Sequence, residues 1–341
     1  MTSLKLGTRG SQLALFQANT VAALLQSRAG VACDIVVIKT SGDRLADAPL
    51  SEVGGKRLFV KEIEDALLDA RIDLAVHSSK DMPAILPDGL TLGAVLPRAD
   101  ALDAIVLPAP GPLRGTRPTR EDVGRVPRGG PAAPLEDIVR QLGNSPRIGT
   151  SSVRRIAQLM RLFPGGRFDP IRGNLDTRLR KVDAGEYDAL VLAAAGLIRL
   201  GHEDRISATL QPGMCVPAPG QGIIAVEVRE DDGETTSVVN TINDTAAAAA
   251  LTAERTVVTR LGGGCQMPIG AYAAESAGML ALTAIVISVD GSRTARAEVR
   301  GPLADAAGIG ARAADDLLAR GAGEILAEVE QARATVEGLQ P

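Results

Sequence analysis

Polar side chains follow an apolar run in the stretch Asp73-Leu-Ala-Val-His-Ser-Ser-Lys-Asp-Met-Pro83. The apolar residues predict a short buried strand, and strand ends of this kind carry ligands in open α/β sheets. Pro83 prevents a helix from starting early. The strand exit therefore presents Lys80, a cation for an anionic substrate, beside Asp81, a carboxylate that could hold or move a proton. A solvated turn that only joins two elements is the alternative.

Two strand-to-helix turns of similar sequence offer places for anions. Gly7-Thr-Arg-Gly-Ser11 follows the first predicted strand, and Arg147-Ile-Gly-Thr-Ser-Ser-Val-Arg-Arg155 opens a second α/β unit. Backbone N–H groups and the positive end of the helix dipole suit a carboxylate or phosphate there, and Arg9 adds a charge. Arg154 and Arg155 occupy a first helical turn, where the dipole disfavours cations, so the sequence predicts anions that they neutralise.

Further arginines follow other strand ends. Arg172 and Arg178 lie in the strand-turn-helix pattern Ile171-Arg-Gly-Asn-Leu-Asp-Thr-Arg178. The segment Asp188-Ala-Leu-Val-Leu192 echoes the first stretch described above, and Arg199 follows it. The echo predicts two similar domains that face each other, with the acid on one side only.

Cys265 lies in the glycine-rich turn Leu261-Gly-Gly-Gly-Cys-Gln-Met-Pro268, whose glycines predict close approach by something bulky. A nucleophilic hydrolase is the obvious chemical alternative. However, the only histidines are His77 and His202, and no Ser, His and Asp set presents itself. We interpret Cys265 as a covalent anchor for a prosthetic group.

A double glycine precedes another candidate pair. Gly54-Gly-Lys-Arg-Leu-Phe-Val-Lys61 enters a helix whose apolar positions keep the 3.6-residue period. The glycines predict a mobile approach that places Lys56 and Phe59 near the first anion turn. A plain helix N-terminus is the alternative.

The elements that position these residues alternate between strand and helix, which predicts α/β domains. The helix after the first anion turn is expected to turn these apolar residues inward: Leu13, Phe16, Val21, Leu24 and Leu25. Residues 108–134 hold seven Pro and five Gly without apolar periodicity, so we expect a mobile insertion. The strand at 220–228 could return to the first sheet, and the resulting two-stranded hinge is the architecture of periplasmic-type binding proteins.

The predicted fold is therefore α/β, with two periplasmic-binding-protein-like domains, a hinge and a small C-terminal α+β domain. We place domain 1, with the acid, at 1–104 and 217–240, and a mobile insertion or linker at 105–134. Domain 2, which binds anions, spans 135–216, and domain 3, with the cysteine, spans 241–341.

Composition limits the function classes. The 341 residues are 45% hydrophobic and 23% charged, which is typical of a globular protein of two or three domains. The net charge of −4 argues against a nucleic-acid partner. The sequence has neither a long apolar span nor a signal peptide, so we expect a cytoplasmic protein without a membrane partner. Three widely spaced cysteines predict neither a metal site nor a disulfide framework.

Five of these motifs together resemble the porphobilinogen deaminase family, also called the hydroxymethylbilane synthases. They occur in the family's order: Gly-Thr-Arg at 7–9, Val-His-Ser-Ser-Lys-Asp at 76–81, Gly-Thr-Ser-Ser-Val-Arg-Arg at 149–155, Arg-Gly-Asn at 172–174 and Gly-Gly-Cys-Gln at 263–266. The resemblance covers nearly the whole chain apart from 108–134, which is longer than the family's usual link.

The resemblance implies a monomeric transferase of tetrapyrrole (haem) biosynthesis. Such an enzyme joins four porphobilinogen molecules head to tail into hydroxymethylbilane and releases ammonia at each condensation. It also implies a dipyrromethane cofactor bound to Cys265 by a thioether. Asp81 matches the catalytic carboxylate that assists ammonia loss and stabilises the positive pyrrole.

The resemblance further implies which residues hold acetate and propionate groups. The expected cofactor-binding residues are Ser78, Lys80, Thr150, Ser152, Arg154, Arg155 and Arg172. The expected substrate-binding residues are Arg9, Ser11, Lys56, Phe59, Arg178 and Arg199. Of these, Lys56 is expected to bind from a flexible loop, and Phe59 to act as a stacking or lid residue and not as a partner of the carboxylates. A non-catalytic two-domain anion binder is the alternative function, but it would have no use for Cys265 or Asp81.

Overall fold

The computed structural model describes residues 3–44, 60–109, 134–264 and 267–337. Lys56, Phe59, Cys265 and all but the ends of the predicted insertion at 108–134 lie outside the described residues. None of the helices within these ranges is long and apolar enough to cross a membrane.

The first domain is built on a five-stranded sheet with helices on both faces. Its strands are β1 (Ser3–Thr8), β2 (Ala32–Val37), β3 (Leu74–Ser78), β4 (Leu90–Val95) and β10 (Ile224–Arg229). Its helices are α1 (Gln12–Ala29), α2 (Ser41–Arg44), α3 (Lys61–Leu68) and α8 (Gly233–Asn240). The strand order is β2-β1-β3-β10-β4, and β10 is antiparallel to both of its neighbours. The predicted return of the chain to the first sheet is confirmed.

The second domain repeats this winding. Its strands are β5 (Asp103–Val106), β6 (Arg147–Gly149), β7 (Arg167–Asp169), β8 (Ala189–Ala193) and β9 (Ala208–Leu210). Its helices are α4 (Leu135–Leu142), α5 (Val153–Leu159), α6 (Leu175–Asp183) and α7 (Ala194–Arg199). The order is β7-β6-β8-β5-β9, again with one antiparallel strand, β5, in the fourth place. The prediction of two similar domains is confirmed.

The two domains are joined by an outgoing connection, residues 96–102, and a return connection, residues 211–223. Gly222 has a φ of +86°, and a Cβ added there would lie 2.6 Å from the Ala99 carbonyl oxygen. The Ala99 N–H donates to the Gly222 carbonyl at 3.0 Å, so the connections touch. The predicted domain boundary at 104 falls inside β5, all of which pairs with β8. The boundaries as a set stay a prediction.

The third domain is a three-stranded antiparallel sheet packed against helices. It contains α9 (Thr245–Arg260), β11 (Ile269–Ser276), β12 (Met279–Ile287), β13 (Thr294–Pro302), α10 (Ala306–Ala319) and α11 (Ala322–Glu337). Alternate residues of β12, including Leu280 and Leu282, are buried against Ile309 and Leu317 of α10. α9 ends at the turn 261–264, and the packing of α9 against the sheet positions this turn, which precedes Cys265 in the sequence.

Gly310 tests this packing, because a Cβ added to it would lie 2.3 Å from the carbonyl oxygen of Ala253 in α9. Because the helix backbone can move away only at a cost in free energy, we expect Gly310→Ala to destabilise the third domain by about 1–3 kcal/mol. In Gly323→Ala the new Cβ would lie 3.7 Å from a Leu318 methyl group, and we expect this control to be neutral or slightly stabilising. Thermal melting measures both variants, and equal melting temperatures would contradict the close approach.

Candidate active site

The exit of β3 places the lysine and the acid at the interdomain cleft. A single 3₁₀ turn, Ser79–Asp81, follows the strand, and the Ser79 N–H donates to the Ile223 carbonyl at 3.0 Å. Asp81 is exposed, whereas Lys80 is half-buried. Burial lowers the pKa of Lys80 to about 8; Asp81 opposes the fall, and Arg155 adds to it. The exit thus presents a carboxylate and an easily deprotonated cation.

The first anion turn lies beside Asp81. Ser11 is the N-cap of α1, and its Oγ accepts from the Ala14 N–H at 3.2 Å. Gln17, which the sequence analysis missed, donates from Nε2 to Ser78 Oγ at 2.9 Å. One cavity is lined by residues that include Arg9, Ser11, Gln17, Ser78 and Asp81. The structure therefore brings together four of the predicted residues of this wall.

The second anion turn faces the cleft from the other domain. Thr150 is buried, and its Oγ1 accepts from the Ser152 N–H at 3.3 Å. Ser152 is the N-cap of α5 and accepts from the Arg155 N–H at 3.4 Å. Arg154 and Arg155 follow in the first turn of α5, as predicted, and both are buried.

An internal carboxylate binds both of these arginines. Arg154 Nη1 donates to Asp103 Oδ2 at 2.7 Å, and Arg155 Nη2 lies 2.8 Å from Asp103 Oδ1. Burial would raise the pKa of Asp103, but Arg154 and then Arg155 hold it well below its usual range. The sequence analysis predicted anions at this pair and missed Asp103. One carboxylate cannot neutralise two guanidinium groups, so positive charge is left over for a ligand.

Two further arginines of the second domain lie near this pair. Burial lowers the pKa of Arg178, and the charges of Arg155 and Arg172 lower it further, while Asp81 opposes them. Arg178 Nε also donates to the Gly173 carbonyl at 2.9 Å. Arg155 and Arg172 of the second domain and Asp81 of the first domain therefore lie close enough to Arg178 to act on its charge.

Arg199 takes a different place. Its Nη2 donates to the Gly222 carbonyl at 2.7 Å, so it contacts the return connection. Burial lowers the pKa of its guanidinium group.

A cavity lies where the three domains meet. Its lining includes Ser79, Lys80 and Met82 from the first domain, Ser152 and Arg154 from the second, and Arg255, Val258, Gly264, Met267 and Ile269 from the third. Ser79 Oγ and Arg154 Nε are buried there without a hydrogen-bond partner among the described atoms. Apolar walls together with three cations and two unsatisfied polar atoms suit a flat, carboxylate-bearing group, and Gly264 immediately precedes Cys265 in the sequence. The residues fit a dipyrromethane.

Glu254 of α9 attaches the third domain at this junction, and the sequence analysis missed it as well. Its Oε2 accepts from the Gly220 N–H and from Arg98 Nη2, both at 2.7 Å, and its Oε1 accepts from the Ala273 N–H at 2.7 Å. The first two donors belong to the two interdomain connections. Within the described ranges, no group of acidic, His and Cys side chains could hold a metal ion.

Comparison with known proteins gives a consistent family. Residues 4–237 match the family model described as porphobilinogen deaminase, dipyromethane cofactor binding domain, and residues 248–319 match that of the porphobilinogen deaminase C-terminal domain. A porphobilinogen deaminase of Syntrophobacter fumaroxidans is 43% identical over 96% of this chain and 98% of its own length. That of Bordetella parapertussis is 45% identical over 96% of each.

Solved structures match this chain only at low similarity. The VFT2 domain of Bordetella pertussis BvgS is 18% identical, with a TM-score of 0.38, and the match covers 71% of this chain and 85% of that one. The methionine-binding protein MetQ is 10% identical, with a TM-score of 0.40, over 70% and 89% of the two chains. The two family models span most of the sequence, and the curated relatives match it nearly end to end, so this chain belongs to the porphobilinogen deaminase family.

Proposed function

We propose that Asp81 is the acid–base group of this enzyme and that Cys265 carries its cofactor. The chain is a transferase of tetrapyrrole biosynthesis that joins four porphobilinogen molecules into hydroxymethylbilane and releases ammonia. Membership of this enzyme family overturns the alternative of a non-catalytic anion binder. The observation that carries the assignment of roles is the cavity at the junction, with Lys80 on one wall, Arg154 on another and Gly264 on the third.

The cations of the cleft suit the carboxylates of the substrate. Each porphobilinogen brings an acetate and a propionate, so a growing chain accumulates negative charge. Guanidinium groups bind carboxylates in a fixed, two-pronged geometry, whereas Lys80 offers a compact charge. We assign the cofactor carboxylates to Ser78, Lys80, Thr150, Ser152, Arg154, Arg155 and Arg172. We assign those of the incoming substrate to Arg9, Ser11, Arg178 and Arg199. Lys56 is a further substrate-binding residue, and Phe59 stacks on a pyrrole ring or acts as a lid.

Asp81 is the exposed acid next to this cationic site. Loss of ammonia from porphobilinogen leaves positive charge on the pyrrole, and a carboxylate at the exit of β3 can stabilise that charge and accept a proton. When bound, the dipyrromethane supplies the pyrrole end to which the first substrate unit is added. Thr150 and Ser152 orient carboxylates by their hydroxyl groups, and the apolar residues of the third domain exclude water from the cavity.

The assembly and the compartment complete the proposal. We infer a cytoplasmic monomer with no nucleic-acid or membrane partner. The net charge of −4 supports the absence of a nucleic-acid partner. Light scattering of the purified chain tests the monomer.

The cofactor assignment is tested by weighing the intact chain. We expect a mass above the 35.2 kDa of the sequence by that of a two-ring pyrrole adduct, because the thioether survives denaturation. Cys265→Ala should lack the adduct. Cys33→Ala, at a half-buried cysteine of β2, is the matched control and should keep it. An unmodified and fully active wild-type chain would contradict the assignment.

The role of Asp81 is tested by removing its charge. Asp81→Asn keeps the shape but cannot accept a proton, so we expect turnover to fall by about 10²-fold or more while the cofactor stays attached. Asp81→Glu should retain part of the activity. Asp69→Asn, at an exposed aspartate of the same domain, is the control. Turnover at saturating substrate and the intact mass are measured for each variant. Near-normal turnover of Asp81→Asn would show that Asp81 takes no part in the reaction.

The pKa of Lys80, lowered to about 8, predicts a pH dependence. The Lys80 side chain is a charged ammonium below that pH and loses its proton as the pH rises through it. Its pairing with a carboxylate should therefore weaken above that pH. We expect kcat/KM, which reports groups of the free enzyme, to fall on this alkaline side. Lys80→Gln should be less active throughout and lack the fall. An unchanged alkaline fall in this variant would assign it to another group.

A further inference from the structure

Asp103 is a fully buried carboxylate at the first position of β5. Its Oδ1 accepts from Arg155 Nε at 2.9 Å, Arg154 Nη2 at 3.2 Å and Gln221 Nε2 at 3.0 Å. Its Oδ2 accepts from Arg154 Nη1 at 2.7 Å and from Cys215 Sγ at 3.4 Å. Both oxygens are therefore fully used by protein donors, and Asp103 is unavailable as an acid for the reaction.

Each of the two arginines also donates a hydrogen bond to a backbone carbonyl. Arg154 Nη1 donates to the Val216 carbonyl at 2.7 Å, and Arg155 Nη1 donates to the Val191 carbonyl at 2.8 Å. Neither carbonyl carries a full charge, so Asp103 is the only carboxylate in the described residues that forms an ion pair with either arginine. Without it, two buried like charges would face each other.

Asp103 also connects the anion site to the junction between domains. It directly follows the outgoing connection, and Gln221 lies in the return connection. Gln221 Nε2 donates to the Ala101 carbonyl at 2.7 Å as well as to Asp103. The geometry of the two arginines is thus set at the point where both connections meet.

We propose that Asp103 is a positioning residue, which holds Arg154 and Arg155 side by side for ligand carboxylates and ties the pair to both interdomain connections. The inference rests on the proposed function. Asp103 acts through the two arginines and does not touch the reacting atoms.

The first test is Asp103→Asn, which keeps the shape and removes the charge. Because misplaced binding groups lower the rate even when the chemical group is intact, we expect kcat/KM to fall by about 10²-fold. Asp183→Asn removes a carboxylate that pairs with Arg205 elsewhere in the second domain, and this control should stay near wild type. Intact mass shows how much of each variant carries the adduct, so that rates refer to loaded enzyme.

The pH profile distinguishes positioning from mere packing. The charged groups that act on Lys80 are Asp81, Asp103, Arg154 and Arg155, and the two aspartates favour its charged form. Removing the charge of Asp103 should lower the pKa of Lys80 and so shift the alkaline fall of kcat/KM to lower pH by about one unit. A packing defect would reduce the amount of active enzyme without moving this fall.

A double-mutant cycle keeps the inference testable without activity. Asp103→Asn leaves two unpaired buried cations, so its melting temperature should drop, and adding Arg154→Gln should restore part of the loss. Additive losses together with an unmoved pH profile would overturn the role of Asp103. If the wild-type chain itself made no hydroxymethylbilane from porphobilinogen, the proposed function would fail instead.

Discussion

Repulsion between like charges is the constraint on which the rest of this cleft depends. The charges of Arg155 and Arg154 lower the pKa of Lys80, and those of Arg155 and Arg172 lower the pKa of Arg178. Two like charges 4 Å apart repel each other by about 4 kcal/mol at an effective dielectric constant of about 20. Asp103, which forms ion pairs with both Arg154 and Arg155, compensates part of this repulsion. The compensation is incomplete. In the proposed function, the carboxylates of the cofactor and the substrate would supply the missing negative charge.

The position of the third domain follows from the same junction. Glu254 accepts hydrogen bonds from a residue of each interdomain connection and from the first strand of the third domain. The turn that precedes Cys265 is therefore held where the two other domains are joined. Gly264, the last described residue of that turn, lines the cavity together with residues of both other domains, so a group anchored next to it would lie beside both.

Local patterns predicted the strand exits, because an apolar run followed by Gly and hydroxyl residues is a short-range signal. Asp103 has no such signal, since its partners lie 51 and 118 positions away in the chain. The helical period also misassigned one face: Phe16 is 42% exposed, whereas Gln17 is buried at 2% because it bonds to Ser78. The inward position on this face of α1 is therefore occupied by Gln17, a polar residue that contacts the site. Lys56, Phe59 and Cys265 lie outside the described residues, so their roles stay predictions.

The order in which the chain contributes strands to the two sheets has a consequence for synthesis of the protein on the ribosome. All strands of the second sheet lie within residues 103–210, so this domain is continuous in the chain. The strands of the first sheet are not contiguous in the chain. Among the described strands, β4 pairs only with β10, whose Ile224 lies opposite Ser78 in β3. During vectorial synthesis on the ribosome, β4 must wait without its neighbour until residue 224 and those after it emerge. Synthesis of the first domain therefore starts before that of the second but ends after it. The exit of β3, which carries Asp81, is joined by β10 only after the opposite wall of the cleft has been made.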